Sequence, residues 1–169
     1  MDIRQLSAED AEIFQALRLF ALQESTTAFG SSFEEERDRS HVQIASFLTG
    51  SRERLTLGAF VNQQLAGIVR IGRETSLKER HRGFIRSMYV LPQHRGLGIG
   101  TVLLQEALNI AATWRGLQQL TLTVTAGNES AIAVYSKVGF IECGRAPSAL
   151  YVEGVYYDEI QMVKQNGAA

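Results

Sequence analysis

The sequence has one cysteine, little net charge and no long hydrophobic run. A lone cysteine, Cys143, cannot form a disulfide within the chain. No apolar stretch approaches the roughly 18 residues that a membrane-spanning helix requires. The first residues also lack a basic region followed by an apolar signal segment. We therefore expect a cytoplasmic protein that does not contact a membrane.

The charges and the histidines exclude two further classes of partner. The chain carries 17 basic and 18 acidic residues, a formal net charge of −1, so no overall field attracts nucleic acid. The three histidines lack the spacing of metal ligands, so no metal is predicted; they are His41, His81 and His94. These absences favour a small-molecule partner.

The length and composition predict a single domain. The chain has 169 residues, and 45% of them are hydrophobic, which is enough to build one sizeable core. We place the domain at residues 1–165 and expect residues 166–169 to form a frayed tail.

A glycine-rich turn between an apolar strand and a helix is the most informative motif. Glycine permits sharp turns and close approach of a ligand to the backbone, and the following helix offers unpaired N–H groups at its positive end. This arrangement predicts a pyrophosphate cradle. The strand and cradle residues are Met88, Tyr89, Val90, Arg95, Gly96, Leu97, Gly98, Ile99, Gly100 and Thr101.

The spacing of this turn argues against two common phosphate loops. A Walker loop needs Gly-Lys-Ser/Thr, whereas Gly100 is followed by Thr101 and no lysine. A dinucleotide fingerprint needs a third glycine that is missing after Gly98-Ile99-Gly100. A nucleotide-phosphate binder therefore remains only as a weak alternative.

Hydrophobic periodicity and capping signals predict seven strands and four helices. Ser7 and Ser32 each begin a helix in a capping box, and Gly50 and Gly116 close the second and third helices. The predicted strands are 3–6, 55–61, 65–72, 84–91, 120–124, 140–144 and 156–163. The predicted helices are 7–23, 32–50, 99–116 and 128–138.

The helix predicted over 128–138 carries a second motif. Asn128 can cap it, Ala131 and Tyr135 lie four residues apart on one face, and Gly139 can take the left-handed position at its end. Packing and capping alone account for this pattern. Its residue types, however, also match a known signature.

The chain resembles the GCN5-related N-acetyltransferase (GNAT) superfamily in both motifs. Arg95, Gly98 and Gly100 match the Arg/Gln-x-x-Gly-x-Gly/Ala loop. The residues that match Asn-x-x-Ala-x-x-x-Tyr-x-x-x-Gly-Phe are Asn128, Ala131, Tyr135, Gly139 and Phe140. The resemblance covers nearly the whole chain. It implies an α/β (α+β) domain with a mixed, mostly antiparallel, twisted sheet of about six to seven strands and about four helices, in the order β-α-α-β-β-β-α-β-α-β-β.

The resemblance further implies an acetyl-CoA-dependent N-acetyltransferase that transfers the acetyl group directly to a primary amine in a ternary complex. The N–H groups from Arg95 to Thr101 would hold the pyrophosphate, and the region of Met88 and Tyr89 would polarise the acetyl carbonyl. Tyr135 is the expected general acid toward the departing thiolate. Asn128 is expected to contact the pantetheine arm or to position it, and its role as a helix cap is an equal alternative.

The general base is not assigned by the sequence. Glu34 and Glu35 lie in the helical region that would line the acceptor side, with Glu24 and Asp158 as alternatives, although a solvated acidic face explains each of them as well. An acetyl-enzyme on Cys143 is disfavoured, because no histidine neighbours it in sequence, and we expect an inert buried thiol.

Segments 28–32 and 144–159 combine aromatic, hydroxyl and acidic side chains where the acceptor would dock, and the second is similar to bacterial members of the superfamily. Their chemistry favours a cationic or amphipathic amine, with protein acetylation also open. A non-catalytic acyl-CoA-binding or sensing module is the main alternative function. We also expect self-association, as a homodimer, through edge strands such as 156–163.

Overall fold

The computed structural model describes residues 1–166, which form seven strands and five α-helices. The strands are β1 (Asp2–Gln5), β2 (Arg54–Val61), β3 (Gln64–Arg73), β4 (Arg82–Val90), β5 (Gln119–Thr125), β6 (Ile141–Val152) and β7 (Val155–Gln165). The helices are α1 (Ala11–Glu24), α2 (Phe33–Glu36), α3 (His41–Thr49), α4 (Ile99–Ala112) and α5 (Glu129–Lys137). The α/β class predicted from the sequence is confirmed.

The strands form one sheet in the order β1-β2-β3-β4-β5-β7-β6. Neighbouring strands are antiparallel except β4 and β5, which are parallel. The sheet is therefore mixed and mostly antiparallel, as expected.

Hydrophobic side chains cover both faces of this sheet. On one face, α4 packs with Leu103, Leu104 and Ala107 fully buried against β2 and β3. On the other face, α1 and α3 cover a second cluster that includes Phe14 and Ile68. Successive side chains of each central strand point to opposite faces, so both layers of helices bury apolar area. These layers hold β4 and β5 firmly in the middle of the molecule.

The helix predicted over 32–50 is in fact two helices, because the sequence contains two capping boxes. The Ser32 N–H donates to the Glu35 carboxylate at 2.7 Å, which starts α2. Beyond the end of α2, the Ser40 N–H donates to the Gln43 side chain at 2.8 Å and starts α3. The second box overrides the continuous apolar pattern, since a capping residue takes extended rather than helical backbone angles.

The last two strands differ from the prediction in length and position. Strand β6 extends to Val152 and strand β7 begins at Val155. Most of segment 144–159, where we expected the acceptor to dock, is therefore a long β-hairpin. Strand β7 was expected at the sheet edge, but it lies between β5 and β6, and β6 is the edge. Cys143 on that edge strand is exposed, so the expectation of a buried thiol is wrong.

The described residues contain no helix long and apolar enough to cross a membrane. At the C-terminus, Asn166 donates its N–H to the Gln118 carbonyl at 2.7 Å. The remainder of the tail expected to fray, residues 167–169, lies outside the described residues.

A buried ion pair joins the first two helices. The Arg18 guanidinium donates to both carboxylate oxygens of Glu36, at 2.9 and 3.1 Å, and the two side chains are 7% and 4% exposed. Such a pair is costly to break, because removing one partner leaves the other charged and buried. It therefore fixes the position of α2 on α1.

We expect Glu36→Gln to lower the free energy of unfolding by about 3 kcal/mol in urea denaturation, because the Arg18 charge loses its partner. The control is Asp38→Asn, which breaks an ion pair with Arg37 whose side chains are 54% and 86% exposed. That variant should change stability by less than about 1 kcal/mol. Equal losses in the two variants would contradict the structural role of the buried pair.

Candidate active site

Strands β4 and β5 pair over only three residues and then separate. Their parallel register runs from Arg82 opposite Gln119 to Phe84 opposite Thr121, although both strands continue further. Beyond this point β5 keeps its antiparallel pairing with β7 as far as Thr125. The separation opens a cleft between the carboxyl ends of two parallel strands, which is where α/β sheets commonly bind ligands.

A β-bulge in β4 marks the start of the cleft. Arg70 of β3 lies opposite Arg86, and Ile68 lies opposite Tyr89, so β4 contains one extra residue. Ser87 takes a φ of +52° there, and neither it nor Met88 has a register partner on β3. A bulge of this kind leaves backbone N–H and C=O groups unpaired that would hydrogen-bond to the neighbouring strand in a regular ladder.

The glycines around the start of α4 are required for two different structural reasons. Gly96 and Gly98 have φ values of +77° and +78°, and a Cβ at either position would have no atom within 4 Å, so backbone conformation selects glycine there. At Gly100, by contrast, a Cβ would lie 3.2 Å from the Met88 methyl group, so space selects it. Together they bring the start of α4 close to β4.

The first turn of α4 presents unpaired N–H groups to the cleft. The first helical hydrogen bond runs from the Val102 N–H to the Gly98 carbonyl at 3.1 Å. The N–H groups of residues 99–101 precede it and point out of the helix end. The Arg95 N–H is different, because it donates to the Pro92 carbonyl at 3.2 Å. The N–H groups without an intrahelical partner therefore lie after Arg95.

Helix α5 forms the opposite wall. Asn128 caps it, accepting from the Ala131 N–H at 3.2 Å, which supports the capping alternative for this residue. Tyr135 is 8% exposed and packs edge-on against Phe140 with ring centroids 6.1 Å apart. Burial raises the pKa of the Tyr135 phenol to about 12. The phenol therefore remains a proton donor at any physiological pH.

These elements enclose a cavity of about 470 Å³, within the range of about 300–1,000 Å³ typical of small-molecule sites. Every cofactor-binding residue predicted from the sequence lines it except Leu97, which points to solvent and is 70% exposed. Those lining residues are Met88, Tyr89, Val90, Arg95, Gly96, Gly98, Ile99, Gly100, Thr101, Asn128, Ala131 and Tyr135.

Other residues of the lining were not predicted to bind the cofactor. Ser130, Val134 and Lys137 lie at four- and three-residue steps on α5, and Val134 lies three residues after the predicted Ala131, so helical periodicity was a usable signal. Ser25 and Ala28 come from the chain after α1. Ala28 begins the segment 28–32 that we expected beside the acceptor, whereas no local pattern in the sequence connects Ser25 with the cleft.

Glu24 is held in a cluster with Tyr89 and Arg95. The Arg95 guanidinium donates to both its carboxylate oxygens at 2.8 and 3.1 Å, and the Tyr89 hydroxyl donates at 2.9 Å. The hydrogen bonds from Arg95, with help from Ser25 and Tyr89, lower the pKa of Glu24 to about 2. A carboxylate with so low a pKa is a weak base.

The remaining candidate bases are also engaged elsewhere or distant. Neither Glu34 nor Glu35 lines the cavity, and Glu35 accepts the capping hydrogen bond of α2. Asp158 accepts from the Ser148 N–H and from Arg145, and these contacts lower the pKa of its carboxyl group. Among residues 1–166, no group of three or more His, Cys, Asp or Glu side chains is placed to hold a metal ion.

Comparisons with known proteins agree on the family. A family model described as "Acetyltransferase (GNAT) family" matches residues 17–140. Streptothricin acetyltransferase of Streptomyces lavendulae is 46% identical over 67 residues, 40% of this chain and 34% of that protein. Spermidine N(1)-acetyltransferase of Vibrio cholerae is 29% identical over 82 residues, 48% of this chain and 47% of that protein. The matched region spans about a third to a half of the length of these curated relatives.

Solved structures match over the whole fold. An acetyltransferase of the GNAT family from Streptococcus pneumoniae superposes with a TM-score of 0.88 and 28% identity, covering 98% of this chain and 99% of that one. YncA from Salmonella typhimurium, solved with its cofactor acetyl-CoA, has a TM-score of 0.81 at 18% identity, covering 100% of this chain and 95% of that one. Since the family model covers well over half of the sequence, the chain belongs to the acetyltransferase (GNAT) family.

Proposed function

We propose that this protein is an N-acetyltransferase that moves the acetyl group of acetyl-CoA directly to a primary amine in a ternary complex. The observation that carries the proposal is the cleft between β4 and β5, with the α4 cradle on one wall and Tyr135 on the other. The relatives named above act on spermidine and streptothricin according to their names, and YncA, which shares the fold, was solved with acetyl-CoA.

The residues of the cradle fit the diphosphate of a coenzyme A. The N–H groups of residues 99–101 precede the first helical hydrogen bond, and the helix end adds a positive partial charge. The space beside Gly96 and Gly98 is open, so an oxygen atom can approach their backbone closely. In this proposal Arg95 contributes structure rather than charge, because Glu24 already neutralises it.

When bound, acetyl-CoA supplies a thioester that a neutral amine attacks and from which a thiolate departs. The bulge at Ser87 and Met88 leaves backbone groups of β4 without a partner on β3, beside the cradle. We assign the N–H of this region to the acetyl carbonyl oxygen, where it stabilises the negative charge that develops during attack.

Tyr135 is the proton donor in this scheme. No protein group in the described residues hydrogen-bonds to its hydroxyl, and burial alone raises its pKa. A phenol with a pKa of about 12 is a weak acid toward a thiolate whose thiol has a pKa of about 8.5, so proton transfer depends on geometry and on the moment of departure. The Tyr89 hydroxyl is unsuited to this role, because it donates to Glu24.

Gly98→Ala should weaken acetyl-CoA binding about tenfold in calorimetry, because an L-residue at φ +78° strains the cradle. Gly116→Ala is the matched control, since Gly116 also has a φ of +78° but lies in the connection between α4 and β5. The control should lose comparable stability and keep its affinity. A similar loss of affinity in both variants would remove the support for the cradle.

Tyr135→Phe should lower kcat by about 10²–10⁴-fold in an assay of free thiol release, because the thiolate loses its proton donor. Acetyl-CoA affinity and unfolding temperature should change little, since the ring and its packing remain. In the wild type, the raised pKa keeps the phenol protonated. Titration of this group should therefore not lower kcat at any pH below about 10, and a loss is expected only as the pH rises toward about 12.

An unchanged kcat in Tyr135→Phe would reject the acid role of this residue. Tight acetyl-CoA binding by the wild type without turnover of any amine would instead favour the sensing module. Comparable binding of ATP and acetyl-CoA would favour the nucleotide-phosphate binder.

A further inference from the structure

A second cavity lies on the other side of the β4 bulge. It has a volume of about 380 Å³ and is bounded by α1, α3 and the face of β3 and β4 that these helices cover. Ser87 lines this cavity, and the next residue, Met88, lines the cleft that we assign to acetyl-CoA. Consecutive residues of the bulge therefore line the two cavities, next to the backbone that we assign to the acetyl carbonyl.

The second cavity is strongly positive. Five arginines line it, against two glutamates. One of the two glutamates, Glu36, is already paired with Arg18, and its carboxylate lies 3.5 Å from the Arg39 guanidinium. The other carboxylate, Glu74, shares the lining with three further guanidinium groups. They belong to Arg54, Arg70 and Arg86.

Arg70 is the central member of this group. Its side chain lies over the Phe47 ring at 3.6 Å and donates to the Phe47 carbonyl and the Thr56 hydroxyl, at 3.2 and 3.0 Å. Only 9% of the residue is exposed. Burial, together with the charges of Arg54 and Arg86, lowers the pKa of Arg70 to about 10. The protein thus holds a charge here at a cost that no carboxylate partner offsets.

The other two arginines are positioned by an aromatic ring. Arg54 and Arg86 lie over the Phe84 ring, at 5.6 and 4.3 Å from its centroid. The register places Arg70 directly opposite Arg86 on the neighbouring strand. Within residues 1–166, Arg54, Arg70 and Arg86 form no ion pair with Asp or Glu. Three like charges gathered on one face without an ion-pair partner repel one another, so an anion would stabilise them.

We propose that Arg54, Arg70 and Arg86 bind an anionic group of the acceptor, so that the substrate is an amine that also carries a carboxylate or a phosphate. This inference rests on the proposed acetyltransferase function and names its class of substrate. Guanidinium groups recognise carboxylates and phosphates through paired N–H donors. The sequence favoured a cationic amine, whereas the positive charge of this cavity favours a substrate with an anionic group.

The same charges help to activate the acceptor. Amines arrive mostly as ammonium ions, and nearby positive charge disfavours that form, so the cluster lowers the pKa of the bound amine. This effect is useful here, because Glu24 is held by Arg95 and is a poor base. The anionic group anchors the substrate, and the reacting nitrogen more readily reaches its neutral form.

The test compares matched acceptors by free thiol release with acetyl-CoA in excess. The pairs are O-phosphoethanolamine and ethanolamine, free amino acids and their methyl esters, and tetrapeptides with acidic or neutral side chains after the N-terminal residue. Spermidine is the cationic acceptor. The small molecules and the tetrapeptides distinguish the two sources of an anionic amine. We expect kcat/KM to favour the anionic member of the best pair by at least about tenfold.

Arg86→Gln is the diagnostic variant, because Arg86 is exposed and its replacement leaves the core intact. The ratio of kcat/KM between the two members of the best pair should fall at least about tenfold. Arg37→Gln removes an equal charge outside both cavities and should preserve the ratio. A ratio that stays constant in Arg86→Gln, or that falls equally in Arg37→Gln, overturns the inference.

Preferred acetylation of spermidine or of the neutral amines leaves the acetyltransferase in place and rejects the anionic acceptor. If no amine is acetylated, the proposed function fails. Calorimetric titration of O-phosphoethanolamine and ethanolamine onto the coenzyme A complex then decides the inference. Selective binding of the phosphorylated amine supports it, and equal or absent binding rejects it.

Discussion

The early parting of β4 and β5 is the constraint on which the site depends. Pairing stops after Phe84 and Thr121, yet both strands continue, because β3 holds β4 on one side and β7 holds β5 on the other. Two parallel strands that cannot close against each other leave a cleft lined by backbone. Helices α4 and α5 then close its sides and place the glycine turn and Tyr135 across from one another.

The bulge at Ser87 and Met88 has one cavity on each side, because Ser87 lines one of them and Met88 lines the other. On the α4 face, small residues and helix-end N–H groups suit a diphosphate and a thioester arm. On the α1 and α3 face, arginines that form no ion pair in the described residues lie over aromatic rings. In this account the sheet separates the cofactor from the acceptor, and the bulged backbone is the place where their reacting groups meet.

The parts of this arrangement that depend on local sequence could be predicted. Capping at Asn128, the spacing to Tyr135 and the glycine turn are all set within a few residues, so they were found without a structure. The bulge at Ser87 and the arginine cluster could not be predicted in this way. They depend on which residues of β2, β3 and β4 lie side by side, and a register is set by long-range pairing. The second capping box at Ser40 was present in the sequence but was outweighed by the apolar pattern around it.

In the proposed function, the backbone between β4 and α4 binds acetyl-CoA. Hydrogen–deuterium exchange of the free and acetyl-CoA-bound protein tests it most directly, since a bound diphosphate shields the N–H groups that it contacts. We expect slower exchange in peptides covering residues 86–90 and 96–101, with little change in the hairpin of β6 and β7. Protection confined to other segments, or no protection at saturating acetyl-CoA, would contradict it.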